Sequence, residues 1–165
     1  MDTEVSRLLN FAYFYLRFRP RTESEMLQYL EKKAKKFSYS ENSSNKTLKK
    51  LIDQKLIDDS QFVVWFVEIR GSSKKKSVAY LKNELRVRGV SSDVIGAYFE
   101  ENFIDEDESA LKALRSQWRR INREDLPVGR QGKRKRFEKA AAFLQRKGFG
   151  YSIIKRAIAE IEEKE

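Results

Sequence analysis

The chain has 165 residues, of which 36% are charged and 40% are hydrophobic, enough for one ordinary domain or a short array of small repeats. It contains no cysteine and no histidine, which excludes disulfides, thiolate metal sites and catalysis by a thiol or an imidazole. With only 7 glycines and 2 prolines, a many-turned β-sandwich or a glycine-rich nucleotide loop is disfavoured. The composition therefore predicts a helical protein that is not an enzyme and uses no metal or cofactor.

The net charge of +10 favours polyanionic partners, because contacts with phosphates release counterions. The charge is concentrated at one end of the chain, where residues 111–165 hold 16 basic and 7 acidic side chains. The longest apolar run, residues 62–67, is too short to span a bilayer, and the first residues lack the basic start of a signal peptide. We therefore expect a cytoplasmic protein without a membrane segment.

Apolar residues spaced three or four apart predict about nine helices and no strand. The first helix has Leu8 on its apolar face and is expected to end just before Pro20. Thr22 and Glu25 have the spacing of a capping box, in which each side chain accepts the backbone N–H of the other residue, so a second helix starts there. Residues 40–45 are predicted to form a polar loop before a third helix.

The later helices also have boundary signals. Asp58 is expected to cap a fourth helix, which the glycine and serines at 71–73 should break. A fifth helix should end at Gly89 in the left-handed conformation, and Asp105 should cap a seventh. Residues 122–133 contain one proline and two glycines and are predicted to form a loop before the eighth helix.

The ends of three predicted helices share one pattern. Residues 85–90 and 144–149 each contain a basic helix end, a glycine and an apolar residue, followed by a further helix. Residues 34–37 begin the same order, with a polar insertion where the glycine turn would be. Chance similarity between amphipathic helices is the alternative, but the recurrence in three places favours an all-α chain of tandem three-helix repeats of about 50 residues. The predicted repeats are 1–57, 58–104 and 105–165.

Two groups of acidic residues are the only candidates for catalytic or metal-binding carboxylates: Asp58-Asp59 and residues 105–108. A two-metal nuclease would require such a cluster. Both groups, however, stand where a helix begins, and acidic side chains there cap the first turn and counter the helix dipole. We therefore interpret them as caps and predict no catalytic residue and no metal ligand.

Basic clusters are the stronger candidates for a binding surface. One surrounds the expected break near residue 71, and another begins a helix, where positive charge opposes the helix dipole. For basic residues near helix ends, a solvated face that compensates the dipole is the alternative. The predicted contacts with phosphate or acidic protein are Arg70, Lys74, Lys75, Lys76, Arg119, Arg120, Arg130, Lys133, Arg134, Lys135, Arg136, Lys139, Arg146 and Lys147.

Five aromatic residues crowd the first helix: Phe11, Tyr13, Phe14, Tyr15 and Phe18. Such rings can stack on nucleic-acid bases, but at this spacing they are more simply explained as core with one exposed strip. Because Phe14 and Tyr15 cannot both lie on the core face, we expect at least one of them at the surface.

Several segments, taken in order, resemble the bacterial RecX regulatory proteins. They are residues 19–30 (RPRTESEMLQYL), 56–62 (LIDDSQF) with Trp65 and Arg70, 81–85 (LKNEL) with 88–90 (RGV), and 143–149 (FLQRKGF). The resemblance covers about residues 7–160, and the order and spacing of the segments are more specific than any one of them.

The resemblance implies an elongated, curved array of three-helix repeats that binds the RecA–DNA filament and usually inhibits ATP hydrolysis and strand exchange in recombination and SOS repair. Many RecX proteins also bind single- or double-stranded DNA, and we expect a monomer without cofactors. Of the predicted contacts, the resemblance carries over only Arg70 and the basic positions beside it. The alternatives are a helical DNA-binding repressor or nucleoid factor that acts without RecA, and an adaptor for an acidic protein.

Overall fold

The computed structural model describes residues 3–72, 76–123 and 126–164, except for the side chains of residues 71, 72 and 123. Over these ranges the chain forms nine α-helices and no strand, which confirms the predicted all-α fold. The helices are α1 (Thr3–Leu16), α2 (Glu23–Phe37), α3 (Glu41–Asp53), α4 (Asp59–Val67), α5 (Val78–Val87), α6 (Ser92–Glu101), α7 (Glu106–Arg123), α8 (Arg130–Arg146) and α9 (Tyr151–Glu163). None of these described helices combines the length and the apolar composition of a membrane span.

The described helices pack into two compact units. The first contains α1 to α3, α4 as far as Trp65, α5 from Glu84, and α6, whereas the second contains the rest of α4 and α5 with α7 to α9. The core of the first unit includes Leu8, Met26, Leu30 and Leu51, and that of the second includes Leu114, Trp118, Leu144 and Ile158. The division into repeats at residues 57 and 104 stays a prediction.

One backbone turn recurs just beyond α2, α5 and α8. The turn residue has a φ of 56° at Ser38, 82° at Gly89 and 90° at Gly148. In each turn the following residue donates its N–H to the carbonyl five positions earlier, at 2.9 to 3.3 Å, as in a Schellman motif. The first repeat therefore keeps the turn without a glycine, because Ser38 adopts the left-handed conformation. The same turn also follows α3 at Lys55, with a φ of 57° and a 2.9 Å bond from the Leu56 N–H to the Leu51 carbonyl, so the turn alone does not mark the predicted repeats.

The start of α2 is held by residues far along the chain. The predicted capping box is confirmed, since Thr22 and Glu25 each accept the other's backbone N–H. In addition, the Glu23 N–H donates to Asp59 Oδ1 at 2.8 Å, and Thr22 Oγ1 donates to the Arg88 carbonyl at 2.7 Å. Because Thr22 is fully buried, these bonds satisfy polar groups that would otherwise destabilise the fold.

The start of α5 is held in a matching way within the second unit. The Val78 N–H donates to Glu106 Oε1 at 2.9 Å, and the N–H of buried Ser77 donates to the Lys147 carbonyl at 3.1 Å. Ser77 Oγ also accepts the Tyr80 N–H at 3.0 Å, which caps the first turn. The second helix of one predicted repeat thus docks on the acidic helix start and the left-handed turn of the next.

The predicted polar loop at 40–45 was wrong, because α3 already begins at Glu41. Ser43 and Thr47 are buried, and their short side chains donate to the carbonyls of Ser40 and Ser43 at 2.6 and 2.7 Å. Bonds to carbonyls three or four positions earlier satisfy the hydroxyls within the helix. Polar residues can therefore occupy its packed face.

The predicted break at 71–73 was also wrong over the residues that the structure describes. A π-helical turn, Glu68–Ser72, continues directly from α4. A π turn bonds residue i to i+5, so the chain remains helical through Gly71 by widening the turn. Ser73 lies outside the described residues.

The predicted loop at 122–133 is shorter than expected, because Asn122 belongs to α7 and α8 begins at Arg130. Gly132 is buried inside α8, and a side chain there would overlap the Pro127 carbonyl. This glycine is therefore explained by close packing of the loop on the helix rather than by a turn.

Replacing Gly89 by alanine tests the contact between the recurrent turn and α2. The new Cβ would overlap the Ser24 side chain, and the positive φ is strained for alanine. We expect Gly89→Ala to lower the free energy of unfolding in urea by about 2 kcal/mol.

Gly96→Ala is the matched control, because Gly96 lies within α6 and a Cβ there meets no atom within 4 Å. We expect this variant to be more stable than the parent protein by about 0.5–1 kcal/mol. Equal effects of the two substitutions would contradict the proposed role of the turn.

Candidate anion-binding groove

The predicted basic contacts that the structure describes all belong to the second unit. Lys74 and Lys75 lie outside the described residues. A groove between α7 and α8, with a volume of about 470 Å³, brings Arg120, Lys139 and Arg146 together. We call this feature the cationic groove, and its lining residues are Gln117, Arg120, Ile121, Lys139, Ala142, Phe143 and Arg146.

The spacing of the lining residues along α7 and α8 places them on one side of each helix, and these two sides form the walls of the cationic groove. On α8, Lys139, Phe143 and Arg146 are spaced by four and three residues and therefore share one side of the helix. On α7, Gln117 and Arg120 are spaced by three. The opposite sides of both helices carry core residues, so burial of the core turns the basic sides toward the groove.

Four lining residues were not among the predicted contacts: Gln117, Ile121, Ala142 and Phe143. Gln117 and Phe143 are the polar and the aromatic members of this set. Their signal was present in the sequence, because each lies one helical turn from a predicted basic residue. Phe143 is half-buried, and Lys147 Nζ lies 5.2 Å from its ring centroid. The Lys147 ammonium therefore borders the groove through a cation–aromatic contact.

The groove has the chemistry of an anion site. Two guanidinium groups can each donate paired hydrogen bonds to a phosphate or a carboxylate, and the Lys139 ammonium adds a compact charge. Arg120, Lys139 and Arg146 are all exposed, so a partner reaches them without rearrangement of the helices. The apolar side chains between them fit the sugar or aliphatic parts of such a partner.

Other predicted contacts on α8 are divided between exposed charges and local pairs. Arg130, Lys133 and Lys135 are exposed near the start of the helix. Arg134 Nε donates to Glu138 Oε1 at 2.9 Å, and Arg136 Nη1 donates to Asn122 Oδ1 at 2.9 Å. Such exposed pairs are weak, so an anionic partner can compete with them.

The remaining predicted contacts lie outside the cationic groove. Arg119 is exposed on α7. Arg70 Cζ lies 5.9 Å from the Phe66 ring centroid, and Lys76 Nζ lies 3.9 Å from that of Tyr80. Both of these half-buried cations thus contact aromatic rings of the second unit.

The acidic residues of 105–108 have structural partners. Asp105 Oδ1 caps α7 by accepting the Glu108 N–H at 3.0 Å. Asp107 accepts two hydrogen bonds from Arg156 at 2.8 and 3.0 Å, and Glu108 pairs with Lys112 at 2.6 Å.

Asp58 similarly caps α4 by accepting the Gln61 N–H at 3.1 Å. These contacts confirm the predicted capping roles of Asp58 and Asp105, and no group of three acidic side chains among the described residues could hold a metal ion.

Comparison with known proteins relates this fold to one family. A protein of Oceanobacillus iheyensis named Regulatory protein RecX is 27% identical over 151 residues, covering 92% of this chain and 52% of the relative. A protein of the same name from Halalkalibacterium halodurans is 28% identical and covers 99% of this chain and 58% of the relative. The crystal structure of RecX from Lactobacillus salivarius has a TM-score of 0.74 at 22% identity, covering 98% of this chain and 99% of that one. The chain is similar to RecX proteins over more than nine-tenths of its length, in sequence and in fold.

No family model matches the chain. The chain also spans just over half the length of the two RecX relatives compared above. Those relatives are named as regulatory proteins, and the RecX crystal structure shares the all-α fold.

Two acidic residues, Glu23 at the start of α2 and Asp59 at the start of α4, have pKa values above those of free side chains. Partial desolvation raises the pKa of Glu23, although this residue is exposed, and the nearby charges of Asp59 and Asp58 raise it further. Burial also raises the pKa of Asp59, whereas the hydrogen bond from the Glu23 N–H acts in the opposite direction. Folded-state pKa values above the unfolded ones make stability fall as pH rises from about 4 towards neutrality.

Glu23→Gln removes one member of this pair while keeping the backbone N–H that binds Asp59. We expect the variant to melt at a higher temperature than the parent protein at pH 7, and the difference to vanish near pH 3.5, where both carboxylates are protonated. Thermal unfolding across this pH range measures it. Glu31→Gln, two turns further along α2, is the control for loss of charge alone. A difference that grows on acidification would contradict the assigned repulsion.

Proposed function

We propose that this chain regulates RecA by binding the RecA–DNA filament and lowering its ATP hydrolysis and strand exchange. The observation that carries the proposal is the cationic groove, found in a chain whose relatives are named Regulatory protein RecX. Similarity to proteins named Regulatory protein RecX supports the identity of the partner. The convergence of Arg120, Lys139 and Arg146 supports a contact with an anionic surface.

The proposed mechanism requires binding and no catalytic group. The basic side chains of the groove would meet DNA phosphates or acidic side chains of RecA. A chain bound across neighbouring RecA subunits would restrain the subunit movements that ATP turnover requires. Inhibition then follows because the chain binds one conformation of the filament more tightly than the conformations that ATP turnover requires.

The direct test is single-stranded-DNA-dependent ATP hydrolysis by the cognate RecA, measured at two salt concentrations while this chain is added. Suppression well below one copy per RecA, weaker at the higher salt, is expected from electrostatic binding to a filament. Unchanged hydrolysis at stoichiometric excess, with binding to naked duplex retained, would instead favour the DNA-binding protein that acts without RecA.

The triple substitution Arg120→Ala, Lys139→Ala and Arg146→Ala tests the cationic groove. We expect the concentration for half-maximal suppression of ATP hydrolysis to rise at least tenfold, because three anion contacts are lost together. The melting temperature should change little, since all three side chains are exposed.

A matched control removes three exposed lysines from α3 in the first unit: Lys46→Ala, Lys49→Ala and Lys50→Ala. It loses the same net charge and should inhibit like the parent protein. Equal loss of inhibition in both variants would show that net charge, and not the groove, causes the loss. Unchanged inhibition in the groove variant would exclude the groove from the filament contact.

The start of α8 is tested by replacing Lys133, Arg134, Lys135 and Arg136 together with alanine. We expect inhibition to weaken more than thermal stability, since these positions lie at or near the surface. Comparing the ATP-hydrolysis titration with the melting curve separates the two effects. If inhibition persists unchanged, this cluster has no part in the filament contact.

A further inference from the structure

A ladder of aromatic rings joins α1 and α2 on the first unit. Phe11 of α1 stacks on Phe37 of α2, with ring centroids 5.4 Å apart and planes within 12°. Tyr15 stacks on Tyr29 with a centroid distance of 4.0 Å. These pairs lie at the edge of the core, because all four rings remain partly or largely exposed.

Cations are interleaved with the rings of this ladder. Lys33 Nζ lies 4.8 Å from the Phe11 centroid and 5.3 Å from that of Tyr29. Arg21 Cζ lies 3.7 Å from the Tyr15 centroid, and Lys36 Nζ lies 5.8 Å from that of Phe37. Alternation of rings and positive charges gives this face both stacking surfaces and sites for anions.

Two further rings extend the ladder into solvent. Phe14 is 57% exposed and Phe18 is 69% exposed, and they meet edge to face with centroids 5.3 Å apart. Phe14, three residues after Phe11, shares its side of α1, and Phe18 lies two residues past the end of the helix. These rings contribute little to the core, so their exposed faces are available to a ligand.

Arg21 supplies an incompletely bonded cation beside the ladder. Its Nε is buried and has no hydrogen-bond partner. Neighbouring Arg19, in contrast, donates two hydrogen bonds of 2.9 Å to Glu25. Burial and the adjacent Arg19 charge both lower the pKa of Arg21. A bound anion beside the partly exposed Arg21 side chain would offset the repulsion between the two guanidinium groups.

We propose that this α1–α2 face binds single-stranded nucleic acid, with bases stacked on Phe14 and Phe18 and the strand's phosphates near Arg21, Lys33 and Lys36. Unpaired bases present the flat faces that such rings accept, whereas a duplex hides them. The interleaved positive charges favour a phosphate-bearing strand over an apolar protein segment. This surface would act without RecA and is separate from the proposed role of the cationic groove.

The test uses fluorescence anisotropy of the full chain with a labelled thymidine oligonucleotide and with an abasic strand of equal length and charge. We expect the double variant Phe14→Ala and Phe18→Ala to bind the thymidine strand at least tenfold more weakly, because stacking on each ring is lost. Its affinity for the abasic strand should stay unchanged. The double variant Phe14→Tyr and Phe18→Tyr keeps both rings and should retain the parent affinity for both strands.

The matched control is the double variant Val87→Ala and Phe103→Ala, which truncates side chains that are 77% and 91% exposed on other segments. It should bind both strands like the parent protein. Parent-like binding of thymidine by the double alanine variant, or equal loss on the abasic strand, would overturn base stacking at this face. So would loss of RecA inhibition with unchanged oligonucleotide binding, which would identify the face as a protein contact. The oligonucleotide measurements do not depend on whether the chain inhibits RecA or whether the groove binds the filament.

Discussion

The first N–H groups of an α-helix have no partner inside the helix, and at α2 and α5 buried residues flank those groups. Residues distant in sequence meet this requirement, since Asp59 accepts the first N–H of α2 and Glu106 accepts that of α5. Next to these bonds, the Arg88 carbonyl accepts the Thr22 hydroxyl and the Lys147 carbonyl accepts the Ser77 N–H. Each set combines an acidic helix start with a helix end that turns in the left-handed conformation. The bonds therefore satisfy buried donors and set which helices become neighbours.

In the second unit, the hydrogen bonds at the start of α5 also help to position the candidate site. The start of α5 bonds to Glu106 at the beginning of α7 and to Lys147 at the end of α8. These bonds link α5 to both helices that form the cationic groove, and the apolar core between α7, α8 and α9 holds the groove walls together. The basic side chains remain flexible at their tips, but their Cα positions are set by packed helices. Such a site keeps its charge arrangement before a partner arrives, which lowers the cost of binding.

The two units differ in the side-chain groups that they offer to an anionic partner. The second unit offers guanidinium and ammonium groups around a small apolar floor, which suits phosphates or carboxylates of any sequence. The first unit offers rings alternating with cations, which suits exposed bases. A protein that met a filament of RecA on single-stranded DNA would encounter both kinds of surface, so the two features are compatible without depending on one another.

Local signals in the sequence were sufficient for the helix caps. Thr22 with Glu25, Asp58 and Asp105 bond within three residues, so their roles follow from spacing alone. Features that depend on distant partners were missed. Gly132 was predicted to lie in a loop, but it lies inside α8, where the Pro127 carbonyl leaves no room for a side chain. The helical start of α3 depends on the packing that buries Ser43.

For the candidate site too, the sequence was sufficient to find the residues but not to show which of them lie together. The charge pattern identified the basic residues of α7 and α8, yet nothing local indicated that Arg120, Lys139 and Arg146 share one groove while Arg119 lies outside it. That grouping depends on how the two helices pack. Likewise, the crowded rings of α1 were visible in the sequence, but the alternation with Lys33 and Arg21 required the position of α2.

The central claim is that the cationic groove faces the filament. Lysine acylation followed by mass spectrometry, on the free chain and on the chain bound to RecA and single-stranded DNA, tests it most directly. The account predicts that binding protects Lys139 and Lys147, at the groove, while Lys49, exposed on α3 of the first unit, reacts equally in both states. Equal modification of Lys139 and Lys147 with and without the filament would contradict it.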